Sequence, residues 1–299
     1  MISRLAEKLY SNAYLLLSLT ALFWAGNFVL GRGIHEFIPP IALAWTRWFF
    51  ATLVVLPFAI PHLKRDWPVI RANLPILAFF GIIGVGAFNT LSYTGLNYTT
   101  ALNGLVMQSS GPVLIIIASF FIFGDKISLR QALGITFSLC GVLLMIARGD
   151  PSVLAGFELN TGDLWILTAL SLWGLYTACL RLRPAIHSLS FVATTFLIAF
   201  AINTPFFVWE HMNMRQIQFD APTFAAIFYV SIFPSVLAYI CFNRGVELIG
   251  ANRAGVCLHL VPLFGAILAI TLLGEEPKTY HFIGIALIFA GVTLAARKA

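Results

Sequence analysis

The feature that most constrains this chain is a row of ten apolar stretches, each bounded by charges, proline or glycine. They are Tyr14–Ile34, Pro39–Ile60, Asn73–Leu96, Thr100–Phe123, Leu129–Ala147, Asp163–Leu182, Leu189–Trp209, Ala221–Asn243, Asn252–Leu273 and Thr279–Ala296. At about 1.5 Å rise per residue, each is long enough as a helix to cross a hydrocarbon core of about 30 Å. Only 10% of the residues are charged and 60% are hydrophobic, whereas ordinary soluble domains carry about 25% charged residues. A globule this apolar has too little polar surface to meet water, so lipid is its natural solvent. The sequence predicts an all-α integral membrane protein of ten transmembrane helices. The first stretch is too long for the apolar core of a cleaved signal and lacks a small-residue cleavage pattern, so it is expected to be a retained span.

The basic residues provide a check on the span count. If the chain alternates sides, Arg4, Lys8, Lys64, Arg65, Arg71, Lys126, Arg130, Arg181, Arg183, Arg244, Arg253, Arg297 and Lys298 fall on one side, thirteen in all. Arg32, Arg148, Arg215 and Lys278 fall on the other, and Arg47 lies inside a span. One missed helix would scramble this split. By the positive-inside bias, both termini are expected in the cytoplasm and the protein in the cell (inner) membrane. The net charge of +6 is then a topology signal and not a nucleic-acid surface. Cys140, Cys179, Cys241 and Cys257 sit within apolar runs without metal-ligand spacing and are read as small buried hydrophobes. No metal and no cofactor is called for.

The chain also repeats itself. Shifted by about 150 positions, Gly95 meets Gly245, Ala101 meets Ala251, Pro112 meets Pro262 and Gly124-Asp125 meets Gly274-Glu275. Gly134 likewise meets Gly284, and Gly141-Val142 meets Gly291-Val292. Earlier in each half the shift is slightly smaller: Leu19-Thr20-Ala21-Leu22 recurs as Leu167-Thr168-Ala169-Leu170, and Pro57 as Pro205. The halves, 1–150 and 151–299, hold five spans each. Five is odd, so the second half enters the membrane from the opposite side. Two inverted repeats around a central cavity suit alternating access to a midplane site.

Polar and aromatic side chains at mid-span are the candidates for lining that cavity. Asn89 and Tyr93 are four apart and share a helix face; their repeat mates are Tyr239 and Asn243, the same two types in swapped order. Trp24 and Asn27, and Trp173 and Tyr176, are three apart. Met107, Gln108, Ser109 and Ser110 precede Gly111-Pro112, and His259 precedes Pro262; these breaks are candidate hinges or gates. Trp and Tyr faces would sandwich a flat apolar group, while Asn and Gln amides would meet a zwitterion's carboxylate and ammonium. The same polar residues also suit plain helix–helix adhesion. Arg47 lies roughly 12 Å deep in its span and must face protein or water. Binding a substrate carboxylate and pinning carbonyls of a neighbouring helix both fit it. Trp48, Trp67 and Trp209 read as interfacial anchors.

The two five-helix halves, Gly124-Asp125-Lys126 echoed by Gly274-Glu275-Glu276, Trp24-Ala25-Gly26-Asn27 and Arg47 together resemble the drug/metabolite transporter superfamily, and within it the EamA-type carriers. The resemblance covers nearly the whole chain. It implies export of metabolites from a bacterial cytoplasm, with the aromatic amino-acid exporters as one branch. The small multidrug antiporters of the same superfamily use a membrane glutamate, and here the chain departs from them: no Asp or Glu sits at mid-span. The expected function is therefore transport of small amphipathic metabolites, aromatic or large neutral amino acids first, by a carrier that functions as a monomer. Export of other metabolites or of aromatic cationic drugs is the alternative. An intramembrane enzyme pairing Ser109 or Ser110 with His259 is more distant, because no third group orients the histidine.

Overall fold

The computed structural model describes residues 11–150, 152–153, 160–249, 257–258 and 260–296. Its elements follow the ten stretches. They are α1 (Ala13–Gly33), α2 (Pro40–Ala72), α3 (residues 74–98), α4 (Ala101–Gln108, then Gly111–Phe123), α5 (Leu129–Ile146) and α6 (Thr161–Cys179). The second half continues with α7 (Ser188–Asn213), α8 (residues 221–249), α9 (Leu260–Leu273) and α10 (Thr279–Ala296). Among the described residues, seven helices are long and apolar enough to cross a membrane, and the two arms of α4 make an eighth, bent by 50° at Gly111-Pro112. The shorter apolar helices α9 and α10 bring the elements to ten. The start of the last-but-one stretch, 252–256, lies outside the described residues. Below, the face bearing the start of α1 and the end of α10 is called the terminal face, and the opposite one the far face.

The inverted repeat is visible in how α5 meets α10. A Cβ on Gly141 would stand 2.8 Å from the carbonyl oxygen of Gly284, and one on Gly291 would stand 2.5 Å from that of Gly134. Gly134 and Gly284 are repeat mates, as are Gly141 and Gly291. The contact is therefore exchanged with itself by the pseudo-twofold axis, with small residues letting the two backbones touch. The α2–α7 pair obeys the same axis through carboxylates. Glu210, near the end of α7, accepts from Ile41 N (3.2 Å) and Ala42 N (2.8 Å) and so caps the start of α2 at the far face. Asp66, near the end of α2, accepts from His187 N and Ser190 Oγ, both 2.8 Å, and caps the start of α7 at the terminal face. Each negative charge meets the positive end of a helix dipole.

Asp66 also accounts for a difference from the sequence expectation. The second stretch was expected to end at Ile60, but α2 runs twelve residues further, to Ala72. Pro57, Pro61 and Pro68 lie inside it. Spaced by four and seven, they fall on one face, so their missing hydrogen bonds bow the helix without ending it. The buried Asp66 ties the extension to α7.

Both α3 and α8 widen into π-helix midway, at Phe80–Ala87 and Phe233–Leu237. These stretches overlap under the 150-residue shift. In α8 the cause is plain: Pro234 has no N–H for the carbonyl of Val230, and Ser235 Oγ donates to that carbonyl instead, at 2.7 Å.

Candidate substrate site

At the centre of the bundle stands Arg47, 4% exposed. Its Nη1 donates to Asn27 Oδ1 (2.9 Å), Asn89 Oδ1 (2.7 Å) and the hydroxyl of Tyr93 (2.8 Å). Its Nε donates to Ser235 Oγ at 2.8 Å. The cluster is ordered in turn: Tyr93 donates to Asn27 Oδ1 at 2.6 Å, and Asn89 Nδ2 to the carbonyl of Val85. The guanidinium also lies 4.5 Å over the ring of Trp48. Every one of these partners is neutral. The ion pairs among the described residues are Arg65–Asp66 and Arg181–Asp125, neither involving Arg47. A buried cation with four neutral acceptors is held in place but not neutralised. Its Nη2 has no hydrogen-bond partner among the described residues. Of the two roles the sequence left open for Arg47, the pinning one takes a different form. Side-chain oxygens from α1, α3 and α8 hold it, not backbone carbonyls.

The π turn of α8 faces this cluster. Trp24 Nε1 donates to the carbonyl of Pro234 (3.1 Å), and Thr20 Oγ1 to that of Ala238 (3.3 Å), so α1 satisfies the carbonyls near the interruption. Trp24 packs edge-on to Tyr239 at 6.1 Å and against Phe242 at 5.6 Å. Tyr239 meets Phe196 at 6.0 Å, and Phe196 meets Trp48 at 4.8 Å. On the other side of the bundle, Trp173 packs on Tyr176 (5.2 Å) and Phe88 (5.0 Å). The proposed aromatic residues thus form two groups, one on α1–α8 and one on α6–α3.

A cavity of about 340 Å³ leads inward between α2, α7 and α8; it is lined by Val55, Val192, Val236, Ser235 and Tyr239 among others. Among its lining residues is Ser235, the serine that holds Arg47. A larger hollow, about 650 Å³, lies at the far face and is lined by Arg32, Thr99, Asn103, Arg148, Lys278 and His281 among others. The smaller one is the candidate site, because it reaches the Arg47 cluster and the aromatic group.

The remaining sequence candidates are placed as follows. Met107 is fully buried, and Ser110 Oγ donates to its carbonyl at 2.7 Å. Gln108 Oε1 and Ser109 Oγ are buried without a partner at the α4 bend. All of His259 and the side chain of Asn243 lie outside the described residues, so neither Asn243 nor the Ser109–His259 pairing is placed. Two expectations are corrected. Trp48 is no interfacial anchor: it is 1% exposed, between Arg47 and Phe196, because it faces α7 and not the bilayer. Trp67 and Trp209, by contrast, are more than half exposed. Cys140 is exposed on the outer side of α5, not buried. Ser235, Glu210 and Asp66 were missed; Pro234 within a span was the one signal that pointed to Ser235.

A second polar network stands at the far face, beside the larger hollow. Asp163, 0% exposed, accepts from Thr99 Oγ1 and, at 3.3 Å, from Asn103 Nδ2. His281 Nε2 contacts Asn103 Oδ1 at 3.1 Å, while Nδ1 accepts from Lys278 N. Beside it the backbones of α3 and α6 touch: a Cβ on Gly162 would lie 2.6 Å from the carbonyl oxygen of Gly95.

The comparisons with known proteins agree with this architecture. The EamA-like transporter family matches residues 11–147 and 160–297. A Bacillus subtilis (strain 168) protein described as the uncharacterized transporter YyaM is 29% identical over 290 residues, covering 95% of this chain and 93% of the relative. An uncharacterized transporter of Archaeoglobus fulgidus is 30% identical over 306 residues, covering 96% of this chain and 98% of the relative. A crystal structure aligns with a TM-score of 0.64 at 18% identity, covering 95% of both chains, and so shares the fold. Ten helices in two inverted halves, a buried arginine at their centre and these relatives place the chain in the EamA-like transporter family, as a membrane transporter of small metabolites.

Proposed function

We propose that this transporter exports aromatic and large neutral amino acids by alternating access, functioning as a monomer with both termini in the cytoplasm of a bacterial cell. The single observation that carries this reading is Arg47, a buried guanidinium with only neutral partners among the described residues, held by Ser235, which lines a cleft between α2, α7 and α8. Such a group attracts a carboxylate, with which it forms a charge-assisted hydrogen bond. The Trp24–Tyr239–Phe196–Trp48 group beside it offers flat apolar contact for the rest of the solute. A cation entering the same place would meet Arg47 as a like charge, which disfavours the alternative of aromatic cationic drugs. With no carboxylate at mid-span, there is no acid over which a proton and a cation would compete.

Proteoliposomes loaded with labelled phenylalanine, tryptophan, threonine or a flat aromatic cation test the proposal. Phenylalanine and tryptophan are expected to leave fastest, and phenethylamine, which lacks the carboxylate, to be retained. Retention of all the amino acids, or preference for the cation, would overturn it.

A further inference from the structure

The first turn of α7 is fastened by a histidine. His187 is the N-cap of this helix, and its Nδ1 accepts from Leu189 N at 3.2 Å. Asp, Asn, Ser or Thr in that place would cap the helix throughout the neutral range. An imidazole accepts through Nδ1 only while that nitrogen carries no proton, so His187 stands here as the neutral tautomer with its proton on Nε2. Its ring also lies flat on that of His62 of α2, with centroids 3.6 Å apart and planes 3° from parallel. Its backbone N–H donates to Asp66 Oδ2, the carboxylate that ties the α2 extension to α7. Cap, stack and carboxylate thus pin one turn. The cap requires a neutral imidazole, and the stack disfavours charging both rings.

Proton uptake at His187 is opposed by its surroundings. Partial burial first, then His62 and Arg65, hold its pKa below the ordinary histidine value; Asp66 pulls the other way, and Arg183 adds to the lowering. Among the described residues these are the titratable and charged groups that face it: His62, Arg65 and Asp66 from α2, and Arg183 from the link between α6 and α7. The positive end of the α7 dipole acts in the same sense as the guanidiniums. Once protonated, His187 cannot accept from Leu189 N, and two donors face each other at the helix start. The folded state binds fewer protons here than the unfolded chain. The arrangement therefore holds above about pH 6.5 and loses stability as the pH falls below it.

This turn is also a wall of the candidate site. Ser188 and Leu189, the two residues after His187, line the cleft between α2, α7 and α8, together with Val55 and Phe58 of α2 and with Ser235, which holds Arg47. We propose that His187 is a proton-operated catch on the cleft wall: neutral, it fastens the first turn of α7 to α2, and protonated, it releases that turn and weakens solute binding. The part that concerns the solute rests on the transport reading above.

Nitrogen-15 spectra of histidine-labelled protein in lipid nanodiscs test the catch, with His187→Asn or His187→Gln identifying the signal by its loss. The expected signal is that of the Nε2–H tautomer at neutral pH, titrating below the ordinary value of about 6.5. An Nδ1–H tautomer, or a midpoint at or above that value, would overturn the catch. Phenylalanine transport in proteoliposomes, with equal pH on both sides, tests its consequence. Lowering the pH from about 7.5 to about 5.5 is expected to raise the half-saturating concentration of the parent about threefold. In His187→Asn, whose Oδ1 caps the helix without titrating, that concentration is expected to stay level over the same range. The same rise in parent and variant, or none in the parent, would overturn the proposal. No phenylalanine movement at any pH, with the neutral tautomer and its low midpoint present, would overturn the transport reading and leave the catch standing.

Discussion

The two ends of this bundle have nearly the same parts and, among the described residues, different contacts. At the far end, α3 lies against α6 through Gly95 and Gly162, Thr99 and Asn103 bind the buried Asp163, and Glu275 holds α4. At the terminal end, the mate of Gly95, Gly245, would bring a Cβ to 2.6 Å from Leu17, a side chain of α1 and not a backbone. Asp163 has no acidic mate in α1, where the shift of 148 leads to Leu15. The far-end contact of α3 with α6 is therefore a matter of backbone approach and a buried carboxylate, while the matching contact of α8 with α1 rests on an apolar side chain that can move. Arg47 belongs to both: its partners Asn27, Asn89 and Tyr93 lie on α1 and α3, and Ser235 lies on α8.

The largest effect should come from the residue that joins the two ends. Arg47→Met is expected to slow phenylalanine efflux at least about 30-fold, since losing one partner of a buried charge pair typically costs about 2 kcal/mol or more. Arg47→Lys should fall between, because a point charge does not span the positions of the guanidinium fork. An equal rate in Arg47→Met would remove the carboxylate from the account. Next comes the α3–α6 contact. Gly162→Ala forces a Cβ against backbone and should cost about 1–3 kcal/mol, read as a lower thermal midpoint in detergent. Gly245→Ala presses only on the movable Leu17 side chain and should cost less; the reverse order would break the distinction between the ends.

Smaller again, Trp24→Ala should slow tryptophan efflux roughly two- to tenfold, as expected for about 0.5–1.5 kcal/mol from one aromatic contact, and leave threonine nearly unchanged. The smallest effects should come from the caps of the α2–α7 pair. Glu210→Gln and Asp66→Asn should each cost about 0.5–2 kcal/mol of stability without altering the ratio of phenylalanine to threonine transported. A changed ratio would mean that this pair moves with the gates instead of framing them.

What the sequence made legible follows from what is local or repeated. Apolar length, the sidedness of the bases and the mates Gly134/Gly284 and Gly141/Gly291 gave the ten helices and their inversion, because each depends on the chain's own spacing. Asn89 and Tyr93 were assigned to one face by their spacing, and Arg47 binds both. What escaped was set by contacts from far along the chain. The end of α2 was misplaced because its stabilising partners, His187 and Ser190, come 121 and 124 residues later. Trp48 was misjudged because its depth suggested the interface, while its direction is set by Phe196. Ser235 went unnoticed because its role arises from the hydrogen bond that Pro234 cannot make.

The most direct test of the account is side-specific access to the cleft. In sealed vesicles, a cysteine at Val236 in a background without native cysteines is offered a membrane-impermeant maleimide from one side at a time. The account expects rapid labelling from the side of the termini in the absence of substrate, and labelling at least tenfold slower from the far side. Equal labelling from both sides, or faster labelling from the far side, would contradict it.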